Sequence, residues 1–302
     1  MDFNQLTQQF QAEISSKGIT PPNEMRDDAK VHRFYIQGDK LGTKNGWYIF
    51  FRNNIPCGVF GNWKEGITYK WCTKSFRSMS QSEYRKYTQQ ILEAKKLRDE
   101  ARGIEQLAAA EEASKIWDSA NVAALDHPYL VNKIIEPFCA RQIGGNLVLP
   151  IIDVHGKQRS LQYISPKGEK WFLTDGAIRA NYIPIQHQLL IDRTVLISEG
   201  FATGATLAAA YPDLCVVAAC NAGNLKPVAL KLRQNLPKAK LIIAADDDRL
   251  TPGNPGLKKA REAAIAASAL FAKPQWPEGT PEELSDFNDL ACWLRKKMGD
   301  LA

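Results

Sequence analysis

Long apolar runs are missing from this 302-residue chain. None reaches the ~18–20 residues that a helix needs to cross a bilayer, so no membrane partner is expected. The opening MDFNQLTQQF has neither a basic region nor an apolar stretch. No signal peptide is therefore expected, and the chain reads as cytoplasmic. Cysteine is scattered: Cys57, Cys72, Cys139, Cys215, Cys220 and Cys292 include no C-x-x-C pair. Cys57 and Cys72 stand at a poor spacing for zinc even with a histidine added, so zinc is not expected, and the cytoplasmic reading makes disulfides equally unexpected. Cys215 and Cys220 lie in an apolar run and read as core fillers. His127 and His155 read as turn and capping residues, and His32 carries no signal. The glycine-bearing turn GFATGAT matches neither G-x-G-x-x-G nor G-x-x-x-x-G-K-[ST], which excludes the dinucleotide and P-loop readings there. What is present is 44% hydrophobic and 24% charged, enough for a large core and more than one domain. The formal charge of +6 is a modest help in recruiting polyanions.

Texture divides the chain into four segments. Residues 1–76 begin with a polar lead-in and continue as short alternating runs, HRFYI, GWYIFF, CGVFGNW and ITYKWC. These are broken at Gly38-Asp39, Lys44-Asn45-Gly46, Asn53-Asn54 and Gly61, which predicts a small antiparallel sheet with hairpins. Residues 77–120 are helix-permissive apart from Gly103 and predict a long connecting helix, with riding on a nucleic-acid backbone as the sharper alternative. Residues 121–188 hold a second set of strand-like runs, NLVLPIIDVHG, QRSLQYISPKG and EKWFLTDG. Residues 189–302 alternate VLISEG, ATGATLAAAY, LCVVAAC, LKPVALKLRQNL, KLIIAADDD and GLKKAREAAIAASA, then end in DFNDLACWLRKKM. That β-α alternation predicts an α/β fold: a parallel sheet with helices on both faces, preceded by small antiparallel-sheet modules and a long helix.

The chemistry sits in acids at two strand tips. Glu199 follows VLIS, and Asp246 and Asp248 follow LIIAA. Alternate residues of an extended segment project to one side, so Asp246 and Asp248 can share a hard cation through oxygen ligands. Converging carboxylates repel one another unless a cation neutralises them. The bland alternative is that the aspartates cap the next helix, a role that suits Asp247. Gly200 and Thr203, in the turn after Glu199, offer close approach and helix-start N–H groups to a phosphate, and helix packing explains Gly204 and Ala205 equally well. Asn221 and Asn224 follow the middle strand, placed either to orient a base, sugar or phosphate or simply to make a turn. Asp286 and Asp289 open the last helix as caps or as further members of the acidic cluster.

At these residues the chain resembles a Toprim domain of the DnaG-like superfamily, in particular the primases of phages and conjugative plasmids. The family's glutamate falls on Glu199 and its D-x-D on Asp246 and Asp248, with ATGATL and NAGNL resembling the same branch. The chain departs from the family in having no Gly directly after the D-x-D; a loop, RLTPGNPG, follows instead, and this loop also looks extended in related phage and plasmid proteins. Upstream, DHPYLVNKII and LVLPIIDVHGKQRSLQYISPKGEKWFLTDG resemble the segment preceding Toprim in such primases, and GDKLGTKNGWYIFF with GVFGNWKEG resembles their lead module, so coverage is nearly the whole chain.

The resemblance implies a Toprim-type sheet in 189–302 and a nucleotide- and DNA-binding subdomain in 121–188. It implies a DNA primase that makes short RNA primers on single-stranded DNA from nucleoside triphosphates, with Mg²⁺ or Mn²⁺ as cofactor. Asp246 and Asp248 are then metal ligands, Glu199 a further ligand or a proton-transfer group, and Asp289 an auxiliary ligand ahead of Asp286. Lys133, Arg141, Arg159 and Lys170 are the cations expected to face triphosphate and template, with Lys157 and Lys167 behind them. Trp47, Trp63 and Trp71 are candidates to stack unpaired bases. A replicative helicase or mobilisation protein, supplied separately, is the expected partner. The alternatives are a Toprim nuclease or phosphotransferase using the same acids, and a non-catalytic single-strand-binding accessory protein.

Overall fold

The structure, a computed structural model, describes residues 2–53, 55–186 and 193–299. Part of the Asn53-Asn54 turn and the expected segment start at 189 lie outside the described residues. The chain divides into two compact units, Met1–Ile104 and Glu105–Ala302. The division falls within the stretch 77–120 that the sequence marks as one connecting helix.

The first unit opens with α1 (Phe3–Ser16), whose N-cap Asp2 accepts the Asn4 N–H. Strands β1 (His32–Phe34), β2 (Gly46–Phe51), β3 (Cys57–Asn62) and β4 (Ile67–Cys72) follow and pair antiparallel in that order. Strand alternation splits the aromatics between two faces. Tyr48, Phe50 and Phe60 pack with Leu6, Phe10 and Ile14 of α1. That approach needs glycine at position 58, where a Cβ would lie 2.3 Å from the Phe10 ring. Trp47, Ile49 and Val59 face the other way and pack with Tyr87 and Ala94, residues of the long helix α2 (Gln81–Ser119).

Among the described residues, the second unit contains two five-stranded sheets. One is a wholly antiparallel meander of β5 (Asn121–Val122), β6 (Arg141–Ile143), β7 (Asn146–Ile152), β8 (Gln158–Ile164) and β9 (Lys170–Phe172), with α3 (Pro128–Lys133) between its first two strands. The other is built from β10 (Ile183–Gln186), β11 (Val195–Ser198), α4 (Phe201–Ala210), β12 (Cys215–Ala218), α5 (Ala222–Asn235), β13 (Leu241–Ala244), α6 (Pro255–Ala266) and β14 (Leu270–Ala272), followed by α7 (Phe287–Gly299). Its strand order is β10-β12-β11-β13-β14, parallel except for the antiparallel edge strand β10. Period two again sorts the core. Val195, Ile197, Val217 and Ile243 pack beneath α5 and α6, while Leu196, Val216 and Ala244 pack with α4 and with the meander's Leu147, Leu149 and Ile151. The near-continuous apolar character of VLIS, CVVA and LIIA is what burial on both faces requires. Helices therefore cover both faces of the parallel sheet, as the sequence pattern predicts. The short apolar segments that become β10 and β14 carry no alternation long enough to announce them.

Candidate active site

Strands β11 and β13 are parallel neighbours with Ser198 opposite Ala244. Both leave the sheet at the same carboxyl edge, which is where open α/β sheets bind ligands. Glu199 is the first residue past β11, and Asp246 and Asp248 lie just past β13. Gly200 is the N-cap of α4 and supplies no side-chain cap, leaving that helix's first N–H groups open at the acidic edge. The Ala222 N–H at the start of α5 hydrogen-bonds the Glu199 carboxylate.

The loop after β13 is organised by Asn254. This residue adopts a left-handed φ of 42°, a conformation asparagine tolerates better than most residues. Its Oδ1 accepts from Asp248 N–H at 3.0 Å and from Leu257 N–H at 3.2 Å, and its Nδ2 donates to Asp247 Oδ1 at 2.7 Å. Asp248 Oδ2 accepts the Gly256 N–H at 2.8 Å. A Cβ on Gly256 would lie 2.7 Å from Asp248 Oδ2 and 3.0 Å from the Asp246 carbonyl, so only glycine lets α6 begin this close to the acids. Asp247 points away from the cluster. Its buried carboxylate accepts from Lys273 at 3.1 Å and Trp276 at 3.0 Å, fastening the loop to the segment beyond β14. Burial opposes ionisation of Asp247, but its bonds to Trp276, Asn254 and Lys273 prevail and hold its carboxyl below the usual range.

A fourth acid joins from the chain just before α7. Asp286 accepts the Thr203 hydroxyl at 3.0 Å and the Asp289 N–H at 2.8 Å. Burial first, and the Glu199, Asp286 and Asp248 charges next, push the Asp246 carboxyl up to about 8, with Lys170 opposing. Glu199 is raised by burial and by Asp248 and Asp286, offset by the Ala222 N–H and Lys170. Asp286 is raised by burial and by Asp289, offset by the Asp289 N–H, Lys133 and Thr203. The electrostatic coupling runs through Glu199, Asp246, Asp248 and Asp286. Asp289 is turned aside, with one oxygen 3.3 Å from Lys133 Nζ and the other accepting the Ser285 N–H at 3.1 Å. The acid of this helix start that faces the cluster is thus Asp286, ranked behind Asp289 in the sequence reading. The D-F-N-D spacing alone does not tell which of the two points inward.

Of the expected cations, Lys170 on β9 faces the acids. Its Nζ is 3.8 Å from where a Cβ on Gly200 would stand, and its charge acts on both Glu199 and Asp246. Lys133 reaches the same region through Asp289 and Asp286. Arg159 is held by Asp153 at 2.6 Å in the β7–β8 turn. Arg141 donates to the Trp117 carbonyl at 2.5 Å and lies over that ring. Thr203 is buried and spends its hydroxyl on Asp286. Asn221 caps α5 by accepting the Asn224 N–H. Asn224 is itself buried, accepts the Ala180 N–H and donates to the carbonyls of Ile178, Asn181 and Ala219, so its amide locks the 178–181 loop to β12 and has nothing left for a nucleotide. In the first unit Trp47 is fully buried, because its strand position points into the face that α2 covers. Trp63 carries the Arg33 guanidinium 4.5 Å from its ring centre, and Trp71 stacks on Phe10 at 5.2 Å.

Among the described residues no three acidic, imidazole or thiol side chains form a ready-made metal cage. The donor set nevertheless suits a hard divalent ion: carboxylate oxygens only, mutually repelling, with Asp246 Oδ1 buried and without a hydrogen-bond partner. Also among the described residues, no helix is long and apolar enough to cross a membrane.

Residues 194–294 match the family model of the Toprim domain. The chain is 31% identical over 291 residues to a DNA primase TraC from Escherichia coli, covering 91% of this chain and 27% of the relative. It is 31% identical over 299 residues to another DNA primase TraC from Escherichia coli, covering 94% and 20%. The chain thus spans about a quarter or less of the length of these curated relatives. Among solved structures, the primase fragment of the bacteriophage T7 primase-helicase protein is 16% identical, covering 61% of this chain and 78% of that one, with a TM-score of 0.43. The DnaG catalytic core is 13% identical, covering 64% and 79%, with a TM-score of 0.43. A parallel sheet with acids at the tips of adjacent strands and the family match over 194–294 lead to one conclusion: this chain carries a Toprim domain and is homologous, over nearly its whole length, to a segment of the DNA primase TraC.

Proposed function

We propose that this chain is a primase module: it joins nucleotides into short RNA primers on single-stranded DNA by metal-dependent nucleotidyl transfer. The observation that carries the reading is the convergence of Glu199, Asp246, Asp248 and Asp286 on one sheet edge, with Lys170 facing them. Asp246 and Asp248 are the residues that would hold Mg²⁺ or Mn²⁺, with Glu199 and Asp286 completing the acidic wall. A divalent ion bound there supplies charge stabilisation on the phosphoryl oxygens as the primer's 3′ hydroxyl displaces pyrophosphate. The protein's own groups do the rest. Gly256 and Asn254 fix Asp248, Thr203 fixes Asp286, and the Ala222 N–H fixes Glu199. Lys170 offers a cation, and the open N-terminus of α4 offers N–H groups, to the triphosphate. Single-stranded DNA and nucleoside triphosphates are the partners in this reading, with a helicase acting beside it in the cytoplasm.

The test is incorporation of labelled ribonucleotides on single-stranded DNA without a pre-annealed primer, with Mg²⁺ or Mn²⁺. Short products that fall by about 100-fold or more in Asp246→Ala/Asp248→Ala carry the proposal, a loss on the scale of removing a key transition-state contact. Metal-dependent degradation of the DNA, without primers, would replace it by a nuclease.

A further inference from the structure

Two of the six cysteines stand opposite each other in the first unit. Cys57 opens β3, Cys72 closes β4, and the antiparallel register pairs them. Hydrogen bonds on both sides of β3 tell what kind of pair this is. The Thr73 N–H donates to the Pro56 carbonyl at 3.1 Å, so Pro56 and Thr73 form the hydrogen-bonded pair, and Cys57 with Cys72, one step along, is non-hydrogen-bonded. On the other side, the Trp63 N–H donates to the Asn45 carbonyl at 2.9 Å. Stepping by two along that register reaches Phe51 with Cys57, so the backbone polar groups of Cys57 face β2 and not β4. A non-hydrogen-bonded antiparallel pair brings its Cα atoms to about 4.5 Å with the side chains on one face. That separation falls within the roughly 4.4–6.8 Å that a disulfide spans, near its short end. Both side chains pack in the same cluster, with Cys57 fully buried and Cys72 partly open.

We propose that Cys57 and Cys72 form a dithiol site that reacts with a low-molecular-weight disulfide and closes into a cross-strand disulfide. Cys72, the accessible member, attacks one sulfur of the small disulfide as thiolate. The small S–S bond breaks, one small thiol leaves, and a mixed disulfide remains on Cys72. Cys57 then loses its proton and attacks the Cys72 sulfur, and the second small thiol leaves with the bonding pair and takes up a proton. Two protein thiols are oxidised by two electrons, and one small disulfide is reduced to two thiols. Burial raises both thiols and takes Cys57 up to about 12, so both steps are slow and the second is the slower. The closed form ties the open end of the β3–β4 hairpin beside Tyr87 of α2.

The test is to incubate the full chain with oxidised glutathione, quench by alkylation under denaturing conditions, digest, and map the cysteines by mass spectrometry. The expected result is a Cys57–Cys72 link, two hydrogens lighter, that dithiothreitol reverses, while Cys139, Cys215, Cys220 and Cys292 are recovered alkylated. In Cys57→Ala the reaction should stop at a glutathione adduct on Cys72. An unreacted Cys72, or a lasting glutathione adduct on Cys72 of the native chain with Cys57 still free, would overturn the proposal.

Discussion

Asp246 carries the least comfortable charge in the acidic cluster. Its carboxyl is raised to about 8 by burial and its acidic neighbours, which favours the protonated form in the metal-free protein. A carboxyl with a raised folded-state pKa contributes stability that is fully present below its unfolded value of 3.8 and is lost as pH climbs through about 8. The melting temperature of the metal-free chain should therefore fall as pH rises through that window. Asp246→Asn, which cannot ionise, should lose less and be the more stable protein at the alkaline end; parallel slopes in thermal scans across that range would contradict this. Asn224 makes the opposite case, a polar side chain whose value is entirely structural. Asn224→Ala strands the Ala180 N–H and three carbonyl acceptors, and should cost about 2–3 kcal/mol in denaturant unfolding. Its folded fraction should retain the proposed primer synthesis, since the Asn224 amide is spent on the 178–181 loop and Ala219.

At the scale of elements, the site depends on how closely α6 starts behind the D-x-D acids. The loop RLTPGNPG joins those acids to α6, with Asn254 bonding it internally and Gly256 letting the helix start close behind Asp248. A methyl group at position 256 must displace either the Asp248 carboxylate or the first turn of α6. Gly256→Ala should lower the proposed primer synthesis by about 10–100-fold, the range seen when groups that orient metal ligands are removed. The accompanying loss of stability should be about 1–3 kcal/mol. A variant that kept full activity with unchanged stability would show that the helix start does not hold Asp248. Element types around the site are legible in the sequence because VLIS, CVVA and LIIA are apolar throughout and each is followed by a helical run. The loop's internal bonds are not, because a left-handed asparagine and a ligand-facing glycine look like ordinary turn residues in the chain.

For the whole molecule, the net charge of +6 and the proposed single-stranded DNA partner make a common prediction. Binding to oligonucleotides, read by fluorescence anisotropy, should weaken linearly in log–log form as salt rises, with a slope of roughly −0.7 per phosphate neutralised. An affinity indifferent to salt would mean that the basic side chains do not meet the backbone. The sequence by itself determined the α/β alternation, the antiparallel texture of 31–76, the long helix and the identity of the acids at two strand tips. Periodicity and strand-end position are local properties, written in runs of a few residues. Only the tertiary structure decided that Asp286 rather than Asp289 turns toward the cluster, that Asp247 fastens a loop, that Lys170 rather than Arg141 or Arg159 faces the acids, and that Trp47 is core. Each of those outcomes depends on which distant segment arrives opposite a side chain, and that pairing is made by sheet order and packing, across separations that no window of sequence contains.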